Sequence, residues 1–204
     1  MLPGVNKMKA KMDQANIDEK MLVENEAIIL SMTENERENP NVISYLEEEN
    51  NYSKSVLSTL PHLFWVPDIF VCNGWQSALI PNFYKNEYEG INDFYKKIKT
   101  VLVVHDLDEY SKIERSELVD IGIEIHPDIK GNKLNIYDVA SYNSDAILIM
   151  DRPGEKISTK LLKKAAFKDN ENKITIFDQK DSDDIDFYAM TETLNQVISD
   201  ITSK

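Results

Sequence analysis

The sequence contains little cysteine, glycine or basic charge, and these shortages exclude several classes of protein. A single cysteine among 204 residues excludes a disulfide scaffold and any multi-cysteine zinc or iron–sulfur site. There are 23 lysines and arginines against 36 aspartates and glutamates, which gives a formal charge of −13. Acidic residues are in excess in each of the parts 1–50, 51–150 and 151–204. We therefore expect no nucleic-acid partner and no binding to anionic membranes.

Motifs that would indicate a membrane segment, a nucleotide loop or a metal are also missing. No apolar run reaches about 18 residues, and the first residues contain no apolar signal-peptide core, so we expect a cytoplasmic protein. The chain has no Gly-x-Gly-x-x-Gly, no Gly-Lys-Ser/Thr phosphate loop and no Gly-x-Ser-x-Gly elbow. Its three histidines and one cysteine have no metal-ligand spacing. We expect neither a metal nor a cofactor.

Apolar residues recur along most of the chain with alternating strand and helix spacing. We expect residues 1–21 to be a flexible polar lead-in and residues 22–204 to form one domain. The predicted strands are 27–30, 69–72, 100–104, 146–150 and 174–177; the predicted helices are 43–60, 75–84, a short one around 94–95, 137–140, 156–167 and 185–201. Strands that alternate with helices predict an α/β, three-layer, Rossmann-like domain whose mostly parallel sheet is buried on both faces.

Three polar loops follow predicted strands, at the edge where open parallel sheets bind ligands. They are 73–76, 105–108 and 151–154. In the first loop, Gly74 would let the backbone turn sharply and approach a ligand. Asn73 fits a ligand contact and equally fits a helix N-cap that needs no ligand. We interpret Trp75 as a packing residue rather than a sugar platform.

His105 ends the predicted strand 100–104. A histidine there could hydrogen-bond a sugar hydroxyl or act as a general base near neutral pH. It could equally be a structural histidine held by Asp106 or Asp108, and the sequence favours neither interpretation. His62 and His126 are predicted to lie on the surface, and Cys72 to be buried and unreactive.

Three segments resemble the bacterial glycogen and starch synthase family. Residues 65–81 read WVPDIFVCNGWQSALIP, close to the family's W-x-P-D-I-(I/V)-H-C-x-D-W-x-(T/S)-A-L-x-P. Residues 99–107 read KTVLVVHDL, close to K-T-V-x-T-I-H-N-L, and residues 135–149 are similar to the family's next helix–strand step. The resemblance implies one half of a GT-B fold, the N-terminal domain. It also implies retaining transfer of glucose from ADP-glucose or UDP-glucose to an α-1,4-glucan, without a metal.

The resemblance also suggests substrate-binding residues and a limit on activity. His105 matches the family histidine that contacts the donor glucose, and Asn73, Gly74 and Gln76 lie in a loop that lines the same cleft. Val71 and Gly74 replace a family histidine and aspartate, and no Lys-x-Gly-Gly-Leu occurs in residues 1–60. We therefore name no catalytic residue and expect this chain alone to be inactive. The alternative is a non-catalytic module that binds α-glucan or docks to a full-length synthase partner.

Overall fold

Four parallel strands form the central sheet of the computed structural model, which describes residues 42–107, 109–180 and 186–203. In chain order the strands are β1 (Ile69–Asn73), β2 (Lys99–Val104), β3 (Lys112–Glu114), β4 (Lys133–Asn135), β5 (Ala146–Asp151) and β6 (Ile174–Asp178). The central sheet has the order β1-β2-β5-β6, and β3 and β4 form a separate antiparallel pair. The predicted lead-in 1–21 and strand 27–30 lie outside the described residues.

Helices connect the parallel strands, as parallel pairing requires. They are α1 (Val42–Thr59), α2 (Ile80–Phe83), α3 (Arg115–Asp120), α4 (Ile136–Asn143), α5 (Ile157–Leu161), α6 (Ala165–Asp169) and α7 (Phe187–Thr202). Four 3₁₀ turns and one π turn complete the described part: Leu60–Leu63, Trp75–Ser77, Glu109–Ser111, Glu171–Lys173 and, for the π turn, Tyr84–Tyr88. Within the described residues, no helix is long and apolar enough to cross a bilayer.

The two faces of the sheet carry separate apolar clusters, which arise from side-chain alternation along the strands. Leu102 and Ile147 belong to the larger cluster, which α1, α2 and α4 help to form. Val101 and Leu148 point to the opposite face and pack in one cluster with Val197 of α7. Helices therefore cover both faces of the parallel sheet. The predicted three-layer α/β fold with a mostly parallel sheet is confirmed.

The prediction that the strand at 69–72 is buried on both faces is wrong. In the described part of the chain β1 pairs only with β2 and forms an edge of the sheet. Cys72 points into the larger cluster and is 1% exposed, whereas Val71 is 43% exposed on the other face. Burial of Cys72 is confirmed, and it raises the pKa of the thiol to about 12, so the thiol is protonated at neutral pH.

Several predicted helices differ in extent or type. The helix predicted at 75–84 divides into a 3₁₀ turn, α2 and a π turn, because Pro81 in the first turn of α2 lacks the N–H that a continuous helix would use. The helix predicted at 156–167 divides into α5 and α6 because Lys164 adopts an extended backbone. Turns replace the short helix predicted around 94–95. The elements β3, α3 and β4 were not predicted.

Tyr84 links the helical layer to the start of β2. The side chain is fully buried, and its hydroxyl lies 2.5 Å from the carbonyl oxygen of Tyr95 and 2.9 Å from that of Ile98, so its single hydrogen is shared between the two acceptors. Burial raises the pKa of Tyr84 to about 12, so the hydroxyl remains a proton donor across the physiological range. One buried hydroxyl thus bridges two carbonyl groups just before the strand that leads to His105.

We expect Tyr84→Phe to lower the free energy of unfolding by about 1–3 kcal/mol, because it leaves buried carbonyl oxygens without their donor. The control is Tyr188→Phe, since Tyr188 is 74% exposed on α7. Urea denaturation of the two variants and the wild type measures the difference. Equal stability of the two variants would contradict a bridging role for Tyr84.

Candidate functional site

The loops that follow β1 and β2 meet at the carboxyl edge of the sheet. The two strands are parallel neighbours in register, with Cys72 opposite Leu102 and Asn73 opposite Val103. The ladder continues one residue further, because the Gly74 N–H donates to the Val103 carbonyl oxygen over 3.0 Å. The structure therefore brings the two loops named from the sequence, at 73–76 and from 105 onward, to one place.

Gly74 lies directly against His105. Its φ is +77°, a left-handed conformation that glycine adopts without steric cost. A Cβ at this position would lie 2.9 Å from Gln76 Oε1 and 3.0 Å from His105 Nε2. Glycine is thus needed both for the turn and for the close approach of the two side chains. The backbone of Gly74 thus lies directly against two hydrogen-bonding groups.

Asp106 lies beside the Nδ1 atom of His105, and Tyr137 contacts Asp106. The His105 Nδ1 atom is buried and lies 2.9 Å from Asp106 Oδ2. On its other side, Asp106 Oδ1 accepts a hydrogen bond from the Tyr137 hydroxyl over 3.4 Å. Tyr137 is fully buried at the start of α4, where its backbone N–H donates to the Asn135 side chain. The structure places Asp106 beside the His105 ring, and Asp108 lies outside the described residues.

The remaining side chains of the first loop take different positions. Asn73 is exposed, and its N-cap interpretation is wrong: Gly74 occupies the cap position of the 3₁₀ turn, with no side-chain cap. The Asn73 carbonyl oxygen instead accepts from the Ser77 hydroxyl over 3.0 Å. Trp75 is half-buried against the larger cluster and stacks on Tyr110, with ring centroids 6.0 Å apart. This confirms the packing interpretation of Trp75.

The third polar loop and the other histidines do not join this arrangement. The buried Asp151 carboxylate accepts hydrogen bonds from the backbone N–H and the hydroxyl of Ser158, so it serves as a structural group at the start of α5. His126 stacks on Tyr142 near the start of β5, at the opposite edge of the sheet, with ring centroids 3.8 Å apart. His62 is exposed, as predicted. Within the described ranges, no group of three or more acidic, His or Cys side chains could hold a metal ion.

Sequence reasoning missed Tyr137 as a member of the site. It lies 31 residues beyond Asp106 in the chain, on a helix predicted only from its apolar spacing. The one available signal was the parallel order of the strands. Because α4 leads from the β3–β4 pair into β5, its first residues reach the edge of the sheet where β2 ends.

We expect Gly74→Ala to destabilise the protein more than Gly154→Ala and to shift the imidazole resonances of His105. Both glycines have a positive φ, +77° and +78°, so an alanine is strained at either position, and the ψ of 178° at Gly74 makes the backbone cost there about 1–3 kcal/mol. Only at residue 74 would the new Cβ meet side chains, since nothing lies within 4 Å of a Cβ at residue 154. Denaturant melts and NMR spectra test this. Equal destabilisation with unchanged His105 resonances would contradict the close packing described above.

Comparison with known proteins relates these features to one family. The family model described as the starch synthase catalytic domain matches residues 10–153. Glycogen synthase of Clostridium perfringens is 35% identical over 102 residues, which cover 50% of this chain and 21% of that protein. Glycogen synthase of Lachnospira eligens is 35% identical over 101 residues, with the same coverage. The matched part of the chain thus spans about a fifth of the length of these relatives.

A solved structure has the same fold. The catalytic domain of starch synthase IV from Arabidopsis thaliana, bound to ADP and acarbose, superimposes with a TM-score of 0.53 at 18% identity. The superposition covers 65% of this chain and 29% of that one. At this identity the similarity concerns the fold alone. The family match, by contrast, covers well over half of the chain and includes both loops of the site, so the chain belongs to the starch synthase catalytic domain family.

Proposed function

We propose that the chain is a glycogen/starch synthase-like glycosyltransferase domain of the cytoplasm that binds a glucosyl ligand at the carboxyl edge of β1 and β2. The ligand would be ADP-glucose, UDP-glucose or an α-1,4-glucan. One observation carries the proposal. The loops of the two most family-like segments meet, so that Gly74 lies directly against both His105 Nε2 and Gln76 Oε1 at the carboxyl edge of the sheet.

The hydrogen-bonding groups around Gly74 suit a sugar. Nε2 of His105 and the amide of Gln76 can hydrogen-bond hydroxyl groups, and the bare backbone of Gly74 lets a ring approach closely. Asn73 is exposed on the same loop and provides a further amide. The His105 side chain is 27% exposed, so a ligand can contact it, while Asp106 lies 2.9 Å from its other nitrogen. In a retaining transfer these residues would orient the glucose unit.

We further propose that this chain by itself does not transfer glucose. Transfer from a nucleotide-sugar requires positive groups that stabilise the departing diphosphate. The charged group beside His105 is instead the carboxylate of Asp106, 2.9 Å from its Nδ1, and a carboxylate repels a diphosphate. Gly74 also stands where the family pattern has an aspartate.

The second candidate function is a non-catalytic module that binds α-glucan or docks to a full-length synthase. The start of α7 favours it, because Phe187 and Tyr188 are 63% and 74% exposed side by side. Large aromatic side chains in solvent are typical of contact surfaces. In that case the residues around His105 would bind a glucan without catalysing a reaction.

We expect His105→Ala to weaken ligand binding about tenfold, equivalent to about 1.4 kcal/mol, because one hydrogen bond to the sugar is lost. Calorimetric titration with maltoheptaose and with ADP-glucose measures this. The control is His62→Ala, since His62 is exposed and precedes β1 at the opposite edge of the sheet. Binding that is unchanged by His105→Ala, or equally weakened by the control, would overturn the assignment of the site.

We expect the purified chain to incorporate no glucose from ADP-[¹⁴C]glucose into glycogen above the level of a blank. The physical reason is the missing stabilisation of the leaving diphosphate. A full-length glycogen synthase assayed in parallel is the positive control, and amylose-resin retention of the chain tests glucan binding separately. Robust incorporation by the lone chain would refute its inactivity, whereas retention without incorporation would favour the binding module.

A further inference from the structure

The outer edge of β1 carries backbone groups that bond to no other strand. The Asp68 carbonyl oxygen and the Gly74 N–H both bond to β2, over 2.9 Å and 3.0 Å. Because the direction of these groups alternates along a strand, the even-numbered residues of β1 face β2, whereas Ile69, Val71 and Asn73 face outward. In the part of the chain that the structure describes, β2 is the only strand paired with β1. The outward N–H and C=O groups of Ile69 and Val71 can therefore pair with a further strand.

The side chains along this edge are uncharged. The strand reads IFVCN, with neither a charged residue nor a proline, the two residue types by which natural proteins commonly prevent the addition of a strand. Val71 is exposed, and so are Phe64, Trp65 and Val66 just before the strand. Exposed apolar side chains next to unpaired backbone groups are typical of a surface that another chain covers.

The opposite edge of the sheet, formed by β6, has a different composition. The N–H of the residue after β6 bonds to β5, so Ile174, Ile176 and Asp178 turn their backbone groups outward. Asp178 is charged and forms an ion pair with Lys156. A charge among the outward residues opposes the addition of a strand. Of the two edges, β1 is therefore the one suited to pairing.

A second copy of β1 fits this edge when the two strands run antiparallel about a two-fold axis at Val71. In that register Val71 faces Val71 of the second copy and Ile69 faces Asn73, so the outward groups of the two strands meet. Asp68 is the only charged residue between positions 64 and 74, and it would lie opposite Gly74 of the second copy. Six residues at about 3.3 Å each separate the two Asp68 positions by roughly 20 Å, so their mutual repulsion is largely screened.

We propose that the outer edge of β1 is a self-association surface, on which two copies of this chain pair their β1 strands and join their two sheets into one. The strand has only five residues, so the contact is small and the dimer weak and reversible. Each copy carries a formal charge of −13, so salt should strengthen the dimer by screening the repulsion between the copies. The proposal does not depend on the ligand of the candidate site.

Sedimentation velocity of the full chain, over a concentration series at low and high salt, tests the association. We expect the dimer fraction of the wild type to rise with concentration and with salt. Val71→Lys should weaken the dimer about tenfold, because two like charges would meet at the two-fold axis. The matched control is Ile176→Lys, which changes the net charge equally at a side chain that is 42% exposed, against 43% for Val71. A wild type that stays monomeric throughout, or an equal effect of the two variants, would overturn the proposal.

Disulfide cross-linking tests the register. Cα atoms of a hydrogen-bonded antiparallel pair lie about 5.5 Å apart, a distance that a disulfide spans. Under mild oxidation we expect Val71→Cys to form a covalent dimer well before Ile176→Cys does, and the native Cys72 is buried in both variants. Urea denaturation shows that each variant is folded. Equal rates of cross-linking in the two folded variants would contradict the antiparallel pairing of β1, even if the wild type dimerises.

Discussion

The parallel pairing of β1 with β2 is the constraint on which the candidate site depends. The pairing places Cys72 beside Leu102 in the buried core and carries the ladder on to the Gly74 N–H. Because both strands run in the same direction, each ends at the same edge and releases its loop there. A shift of the register by one residue would turn Cys72 into solvent and separate Gly74 from His105. The hydrophobic core thus fixes the site through the register.

The sequence predicted the central sheet well because its strands are buried. The apolar runs of β2 and β5 have no polar interruption, so they indicate a parallel sheet and little else. Prediction was less accurate where tertiary contacts determine whether a residue is buried. Val71 reads as a core residue yet lies on an exposed edge, since the sequence does not say which strand is outermost. The short strands β3 and β4 carry three residues each, too few for a periodic signal.

The site was predictable in part for the same reason. Gly74 and His105 each follow a predicted strand, and parallel topology alone places them together. Which carboxylate holds His105 was left open between Asp106 and Asp108, and the structure places Asp106 against the ring. Tyr137 was missed because its contact depends on how α4 enters the sheet, a geometry that no local pattern contains. Residue types in the sequence indicate which groups can form hydrogen bonds, but the tertiary packing determines which groups contact each other.

Because α7 buries few of its side chains, it is expected to unfold locally before the rest of the protein. In the described chain this helix alone caps the second apolar cluster, and Val197 is its only fully buried side chain. Ala189, Met190, Leu194 and Ile201 pack against the same cluster but are only partly buried, so α7 detaches at a smaller free-energy cost than the fully buried strands beneath it. Amide protons of α7 would therefore exchange with solvent before those of β2 and β5. Each such opening exposes Val101, Val103 and Leu148 to solvent. This apolar surface could then associate with other protein chains.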